Sequence, residues 1–203
     1  MDNTVQIAVE GPTDAAVLKR LLVEVGLEPG PEYVSGGKAA LDRRLPGYNN
    51  AAKFSCWLVL RDLDRDDDCP VMLRQQLLPR PSAHMRLQIA AHAVESWLLA
   101  DDQSFSRFFA VKGARVPNEP DNLRKPKETL VNLVRHSQSR TMRDAIVPPP
   151  DTTARVGPGY TVVITRFVND HWRPAVAEKR SGSLMNLRRF LRGHRVKHGQ
   201  RSP

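Results

Sequence analysis

At 203 residues, with 40% hydrophobic and 26% charged side chains, the chain is long enough for one domain with a real core, or one domain with a small extension, and has the balance of an ordinary soluble globular protein. No apolar stretch approaches the roughly 18–20 residues of a membrane span, the first residues lack a signal peptide's basic and apolar regions, and Cys56 and Cys69 are too few for a disulfide framework or a four-ligand zinc site; a cytoplasmic protein is expected. The formal net charge of +9 is unevenly spread: residues 1–110 hold 12 Lys+Arg against 15 Asp+Glu, and residues 111–203 hold 19 against 7.

In chain order, residues 4–9 read as a buried strand. Residues 13–25 read as a helix, with Val17, Leu18, Leu21, Leu22 and Val25 on one face and Gly26 at the cap. Residues 31–35 suit a short strand, and a helical segment after Gly36-Gly37 is expected to break at Pro46-Gly47. Residues 54–60 have the aromatic and β-branched content of a central strand. Asp66, Asp67 and Asp68 read as a solvated loop, 70–78 as a helix, 85–90 as a fourth strand, and 94–109 as helical. Pro117, Pro120 and Pro126 then punctuate a loop, with Pro126 opening a helix over 127–136. Residues 148–159 form a second breaker, 160–168 look β-rich, 183–192 form a basic helix, and the tail from Gly193 is expected to fray. Strands alternating with helices predict an α/β fold with a mainly parallel sheet covered on both faces. The charge asymmetry divides it into a domain over 1–110 and a basic extension over 111–203.

Two acidic clusters directly follow apolar runs. Val-Gln-Ile-Ala-Val leads into Glu10-Gly11-Pro12-Thr13-Asp14, and Cys-Trp-Leu-Val-Leu into Arg61-Asp62-Leu63-Asp64. Such carboxylates stand at the carboxyl ends of buried strands, the edge where open α/β sheets gather ligands. Alternation sends Asp62 and Asp64 to one side and Leu63 to the other. Two converging carboxylates repel unless a cation neutralises them, which suits Mg²⁺ or Mn²⁺; the competing reading is an acidic turn. Asp14 equally fits a plain complement to the helix dipole. Glu95, inside Ala93-Val-Glu-Ser-Trp-Leu-Leu-Ala-Asp101, reads either as a site residue or as an ordinary helix-surface glutamate. His92 is a pocket candidate, His84 more simply structural, and Cys69 is a poor nucleophile beside aspartates that disfavour its thiolate. Nucleophile-elbow, phosphate-loop and zinc spacings are absent. Gly157-Pro158-Gly159 lacks the strand and helix of a dinucleotide site, and Trp57, Trp97 and Trp172 read as packing residues. An acidic first half and a basic second half suit a phosphodiester substrate, DNA before RNA, against the simpler reading of a basic protein that stays soluble.

A strand ending in Glu-Gly-x-x-Asp, followed by an apolar strand ending in Asp-x-Asp, resembles the Toprim domain. The added Val-Glu-Ser-Trp-Leu-Leu-Ala-Asp segment resembles short Toprim-like proteins close to the overcoming-lysogenization-defect nucleases. The resemblance covers about residues 4–105; Pro126-Lys127 and Arg180-Ser-Gly-Ser-Leu184 are suggestive additions. It implies a Toprim-like sheet, Glu10 as the family glutamate acting on metal or as acid/base, and Asp62 and Asp64 as the metal pair. It further implies Asp14 and Glu95 as acids completing a second metal site, and a basic residue near the scissile phosphate, Lys127 first and Lys125 second. A metal-dependent nuclease follows, with about 3.5–4 Å between its ions in a two-metal scheme. The basic residues beyond 111, including Arg188-Arg189, would grip the backbone. The resemblance also implies an ATPase partner and a role in phage defence. A small ribonuclease maturing structured RNA and a non-catalytic nucleic-acid-binding subunit stand as alternatives.

Overall fold

The structure, a computed structural model, describes residues 3–63, 69–90 and 93–199. The chain forms two compact units, Met1–Ala91 with Met185–Pro203, and His92–Leu184. The charge-based division at 110/111 follows a surface property, whereas these units follow packing.

The first unit is a three-layer α/β structure. Its elements are β1 (Thr4–Val9), α1 (Pro12–Glu24), β2 (Glu28–Val34), α2 (Lys38–Ala51), β3 (Cys56–Asp62), α3 (Pro70–Leu77) and β4 (Met85–Ala90). The strands form one sheet in the order β2-β1-β3-β4, every pair parallel, as expected. All four strands therefore end at the same edge, which places Glu10 just beyond β1 and Asp62 at the last position of β3. β1 and β3 are interior strands and carry the apolar runs, with Ile7, Ala8, Val9 and Val59 wholly buried. β2 is an outer strand, mostly exposed, with a register irregularity between its pairings to Val5 and Ile7. It starts at Glu28, earlier than expected, because an outer strand tolerates Pro29 and Pro31.

Strand alternation and register divide the sheet's faces. Ala8, Trp57, Val59, Leu87 and Ile89 pack with Leu41, Leu45 and Tyr48 of α2 and Leu73 of α3. On α1, Val17, Leu18, Leu21 and Leu22 are wholly buried, and this helix packs on β1 and β2. Contrary to expectation, α2 runs through Pro46 without a break. The proline removes one helical hydrogen bond, but Leu41, Leu45, Tyr48 and Ala52 bury a continuous stripe, and that burial outweighs the lost bond. Tyr48 and Tyr33 both stack on Trp57, at centroid distances of 5.0 and 5.2 Å.

The second unit is helical among its described residues. It holds α4 (Glu95–Ala100), α5 (Asp102–Phe109), α6 (Pro126–Arg135), α7 (Arg140–Ile146), α8 (Tyr160–Asp170), α9 (Pro174–Ala177) and the first residues of α10 (Gly182–Gly199). Its buried residues include the mutually packed Phe105, Phe109 and Phe167 and the wholly buried Trp97 and Trp172. Trp172 Nε1 donates to Trp97 O at 3.2 Å, and Trp97 Nε1 to Ser183 Oγ at 2.7 Å. Residues 160–168, read from composition as β-rich, are helical instead. Tyr160, Ile164, Phe167 and Val168 recur at helical spacing and are the buried ones, so the period of the buried face overrides β-branched propensity. No helix among the described residues is long and apolar enough to cross a membrane.

Candidate functional site

At the sheet edge, Glu10 is fixed twice. Its backbone carbonyl accepts from the amides of Gly36 (3.0 Å) and Gly37 (3.2 Å), and its side-chain Oε1 accepts from the amide of Asp62 at 3.0 Å. Gly36 and Gly37 take φ of 78° and 130°, conformations that exclude most other residues, and this lets the chain leaving β2 fold back onto Glu10. The acid ending β1 thereby lies against the acid ending β3. Leu63 is buried in the core beneath α2 and α3, on the face opposite Asp62, as alternation requires.

Beside this contact, Arg61 points into the α2 face and is only 3% exposed. Its guanidinium donates through Nε and Nη2 to both carboxylate oxygens of Asp42, at 3.3 and 3.0 Å, and through Nη1 to the Asp62 carbonyl at 2.5 Å. Arg61 and Asp42 thus clamp the end of β3 to α2, a pairing whose 19-residue separation gave no sequence signal. Asp14, in the first turn of α1, is buried, and its Oδ2 accepts from the Gly11 amide at 2.9 Å. That bond is the helix-terminal role weighed against a metal role for this residue. Asp64, Asp66, Asp67, Asp68 and His92 lie outside the described residues.

Glu95 and Lys127 come together in the second unit. Glu95, at the start of α4, is 1% exposed, which removes the reading of an ordinary surface glutamate. Its Oε1 accepts from Tyr160 Oη at 2.7 Å and lies 3.4 Å from Lys127 Nζ; its Oε2 is buried without a hydrogen-bond partner among the described residues. Lys125 is engaged instead with Glu128 at 2.7 Å on the exposed side of α6, so of the two lysines Lys127 faces the buried acid. Tyr160 was missed because it sat in a segment read as β-rich. A hexapeptide as apolar as α4 holding one glutamate did signal that a donor had to be found.

Asp101 is wholly buried and caps α5 through Ser104 N. It also accepts from Arg173 N (2.9 Å), Nε (3.0 Å) and Nη2 (2.6 Å). Burial pushes its carboxyl up, but the bonds from Arg173 and Ser104 prevail and hold it below the usual carboxylate value. Asp101 is therefore structural. One other expectation also changes. Arg188 is 2% exposed and paired with Glu24 at 2.8 Å, which removes it from a phosphate-binding surface, while Arg189 is exposed. A cleft of about 770 Å³ in the second unit is lined by Arg135, Arg143, Asp144 and residues 147–152, and none of the expected site residues borders it.

A divalent cation calls for several oxygen donors held together. Glu10 and Asp62 carry such donors in the first unit; in the second, Glu95 has Lys127 Nζ 3.4 Å from its Oε1 and an Oε2 without a hydrogen-bond partner among the described residues. Among the described residues, however, no group of three or more His, Cys, Asp or Glu side chains is gathered closely enough to hold a metal. No protein-family model matches the chain, and neither does any curated protein or solved structure.

Proposed function

We propose that this chain is a Toprim-type nuclease that hydrolyses phosphodiester bonds with Mg²⁺ or Mn²⁺, on DNA in preference to RNA. The observation that carries the reading is the 3.0 Å bond from the Asp62 amide to Glu10 Oε1, which joins the acidic ends of β1 and β3 at the carboxyl edge of a parallel sheet. In this reading Glu10, Asp62 and Asp64 hold one cation, and Asp14 and Glu95 contribute to a second. The cation would lower the pKa of a bound water and offset charge on the phosphate oxygens. Glu10, held on its backbone and side-chain sides alike, keeps its carboxylate in one place. Lys127, about half exposed at its side chain, offers positive charge toward the backbone of the nucleic acid. The excess of Lys and Arg beyond residue 111 attracts that backbone without reading sequence. The resemblance that suggests the activity also suggests an ATPase partner and a part in phage defence; a cytoplasmic location is proposed from the sequence's composition.

The test is cleavage of supercoiled plasmid, linear duplex and structured RNA with Mg²⁺, Mn²⁺ or EDTA, with Asp62→Ala and Glu10→Ala in parallel. Metal-dependent cutting by the wild type is expected to fall at least a hundredfold in both variants, with nucleic-acid binding retained. Equal turnover by the variants would overturn the assignment. A non-catalytic nucleic-acid-binding subunit is the second reading, favoured by the excess of Lys and Arg beyond residue 111. It predicts salt-sensitive DNA binding by the wild type with no cutting under any metal.

A further inference from the structure

We infer that the cleft formed by α6, α7 and the loop after α7 holds a short single-stranded segment of nucleic acid by its phosphates. The inference rests on the nucleic-acid-binding part of the reading above and on no metal. The cleft measures about 770 Å³, within the roughly 300–1,000 Å³ of sites that enclose small molecules. A concavity of that size admits a short stretch of one strand and not a duplex. Arg135, the last residue of α6, and Arg143 of α7 both border it. Arg143 is half-buried, and its Nη1 donates to the Ser137 carbonyl at 2.5 Å. That bond fixes the guanidinium against a neutral acceptor and leaves its charge uncompensated. Arg135 is exposed, and no acid among the described residues pairs with it. Asp144 and Asp151 also border the cleft. Arg140 Nε lies 3.5 Å from Asp144 Oδ2 and offsets that charge, which leaves Asp151 against two guanidiniums. The balance favours an anion, and the forked donors of arginine match the oxygens of a phosphate.

The rest of the lining is largely apolar and preformed, with Val147, Pro148, Pro149 and Pro150 side by side. Each proline ring fixes its own φ, so this wall has little freedom to lose when a ligand settles on it. Thr152 Oγ1 donates to Pro149 O at 3.0 Å and Asp151 takes a φ of 64°, which turns the loop back. Its far end is pinned to the end of α7: Gly157 N donates to Ile146 O at 2.8 Å and Gly159 N to Ala145 O at 2.9 Å. A Cβ at position 157 would stand 2.5 Å from Ala145 O, so glycine permits the close approach that closes the loop. The loop thus leaves α7 at Val147 and returns to it at Gly157, which holds the proline rings near Arg143 before any ligand arrives. Apolar rings beside two cations suit a strand whose sugars and bases alternate with phosphates. An acidic peptide would use the cations and leave the wall idle. The Gly-Pro-Gly motif, which serves no dinucleotide site, acquires a use as the clasp of this loop.

The experiment is fluorescence anisotropy of labelled oligothymidylate with the full chain in EDTA, across salt concentration, so that neither metal nor cleavage enters. The variants are Arg135→Gln, Arg143→Met and Asp151→Asn, each checked for fold by circular dichroism. Arg166→Gln is the control of equal charge, an exposed arginine of α8 that lies 3.9 Å from Asp170 and does not border the cleft. Arg135→Gln and Arg143→Met should each weaken binding about fivefold and lower the slope of log affinity against log salt by about 0.7. Arg166→Gln should leave both near the wild-type values, and Asp151→Asn should tighten binding. Should Arg143→Met unfold for want of its bond to Ser137, the exposed Arg135 decides. Wild-type affinity and slope in Arg135→Gln, or an equal loss in Arg166→Gln, would overturn the assignment of the cleft. Displacement of the oligonucleotide by oligoglutamate of equal charge at equal concentration would overturn it too and give the cleft to an acidic peptide. So would equal displacement by inorganic phosphate, which would mark a site for free anions. If the wild type binds no nucleic acid, this inference and the reading beneath it fall together. If it binds through the cleft but never cuts with Mg²⁺ or Mn²⁺, the nuclease reading fails and the cleft stands.

Discussion

Two pairs of acids, one pair in each unit, are satisfied in different ways. In the first unit Glu10 and Asp14 accept from main-chain amides, those of Asp62 and Gly11. In the second, Glu95 and Asp101 draw on side chains far along the sequence, Tyr160 and Arg173, which are 65 and 72 residues away, and Asp101 adds to these the amides of Ser104 and Arg173. A main-chain donor is delivered by the fold whatever the side chain there; a side-chain donor is lost with one substitution. The first arrangement is robust to mutation and readable from topology, and the second is fragile and hidden in sequence.

This contrast can be broken by substitution. The largest loss of stability is expected from Arg173→Met, which strips a wholly buried carboxylate of its guanidinium partner and should cost roughly 3 kcal/mol, read as a fall in the urea midpoint at pH 7. The same pair predicts a pH dependence. Asp101 is held below its ordinary value in the fold, so the unfolded state binds the proton more readily. Its contribution is present above about pH 3.9 and is lost as pH falls through its lower, folded value. Stability should therefore drop with acid in the wild type more steeply than in Asp101→Asn. An equal drop would show that other carboxylates govern acid unfolding. Next in size is Gly157→Ala, where the new methyl meets the Ala145 carbonyl; a loss of about 2 kcal/mol is expected from overpacking. The smallest is Asp14→Ala in the first unit, which removes the acceptor for Gly11 N and should cost about 1 kcal/mol. A loss for Asp14→Ala as large as that for Arg173→Met would erase the distinction between the two pairs.

Much of the first unit was readable because its rules are local. An apolar run marked β1, aromatic and β-branched residues marked β3, and weak alternation marked β4; a parallel sheet sends every strand end to one edge, so Glu10 and Asp62 sharing that edge was legible, whereas the pairing of β1 with β3 was not. Where local rules compete, reading failed. Pro46 suggested a break that the buried stripe of α2 overrides, and the β-branched residues of α8 masked its helical period. The approach of Lys127 to Glu95 was not foreseen, and Tyr160 and Arg173 carried no signal, since neither their spacing nor their type sets them apart from other tyrosines and arginines. Arg188 failed for a related reason: charge on a basic helix was read as surface, and packing buried it against Glu24.

The prolines of β2 have a consequence for the protein in concentrated solution. An outer strand normally offers a row of amides on which a second molecule can build. Pro29 and Pro31 supply no N–H, and the register irregularity beside them disturbs the spacing of the rest. The sheet is therefore finished on that side: it cannot serve as a template for strand-by-strand growth between molecules, and the fold carries its own guard against aggregation there.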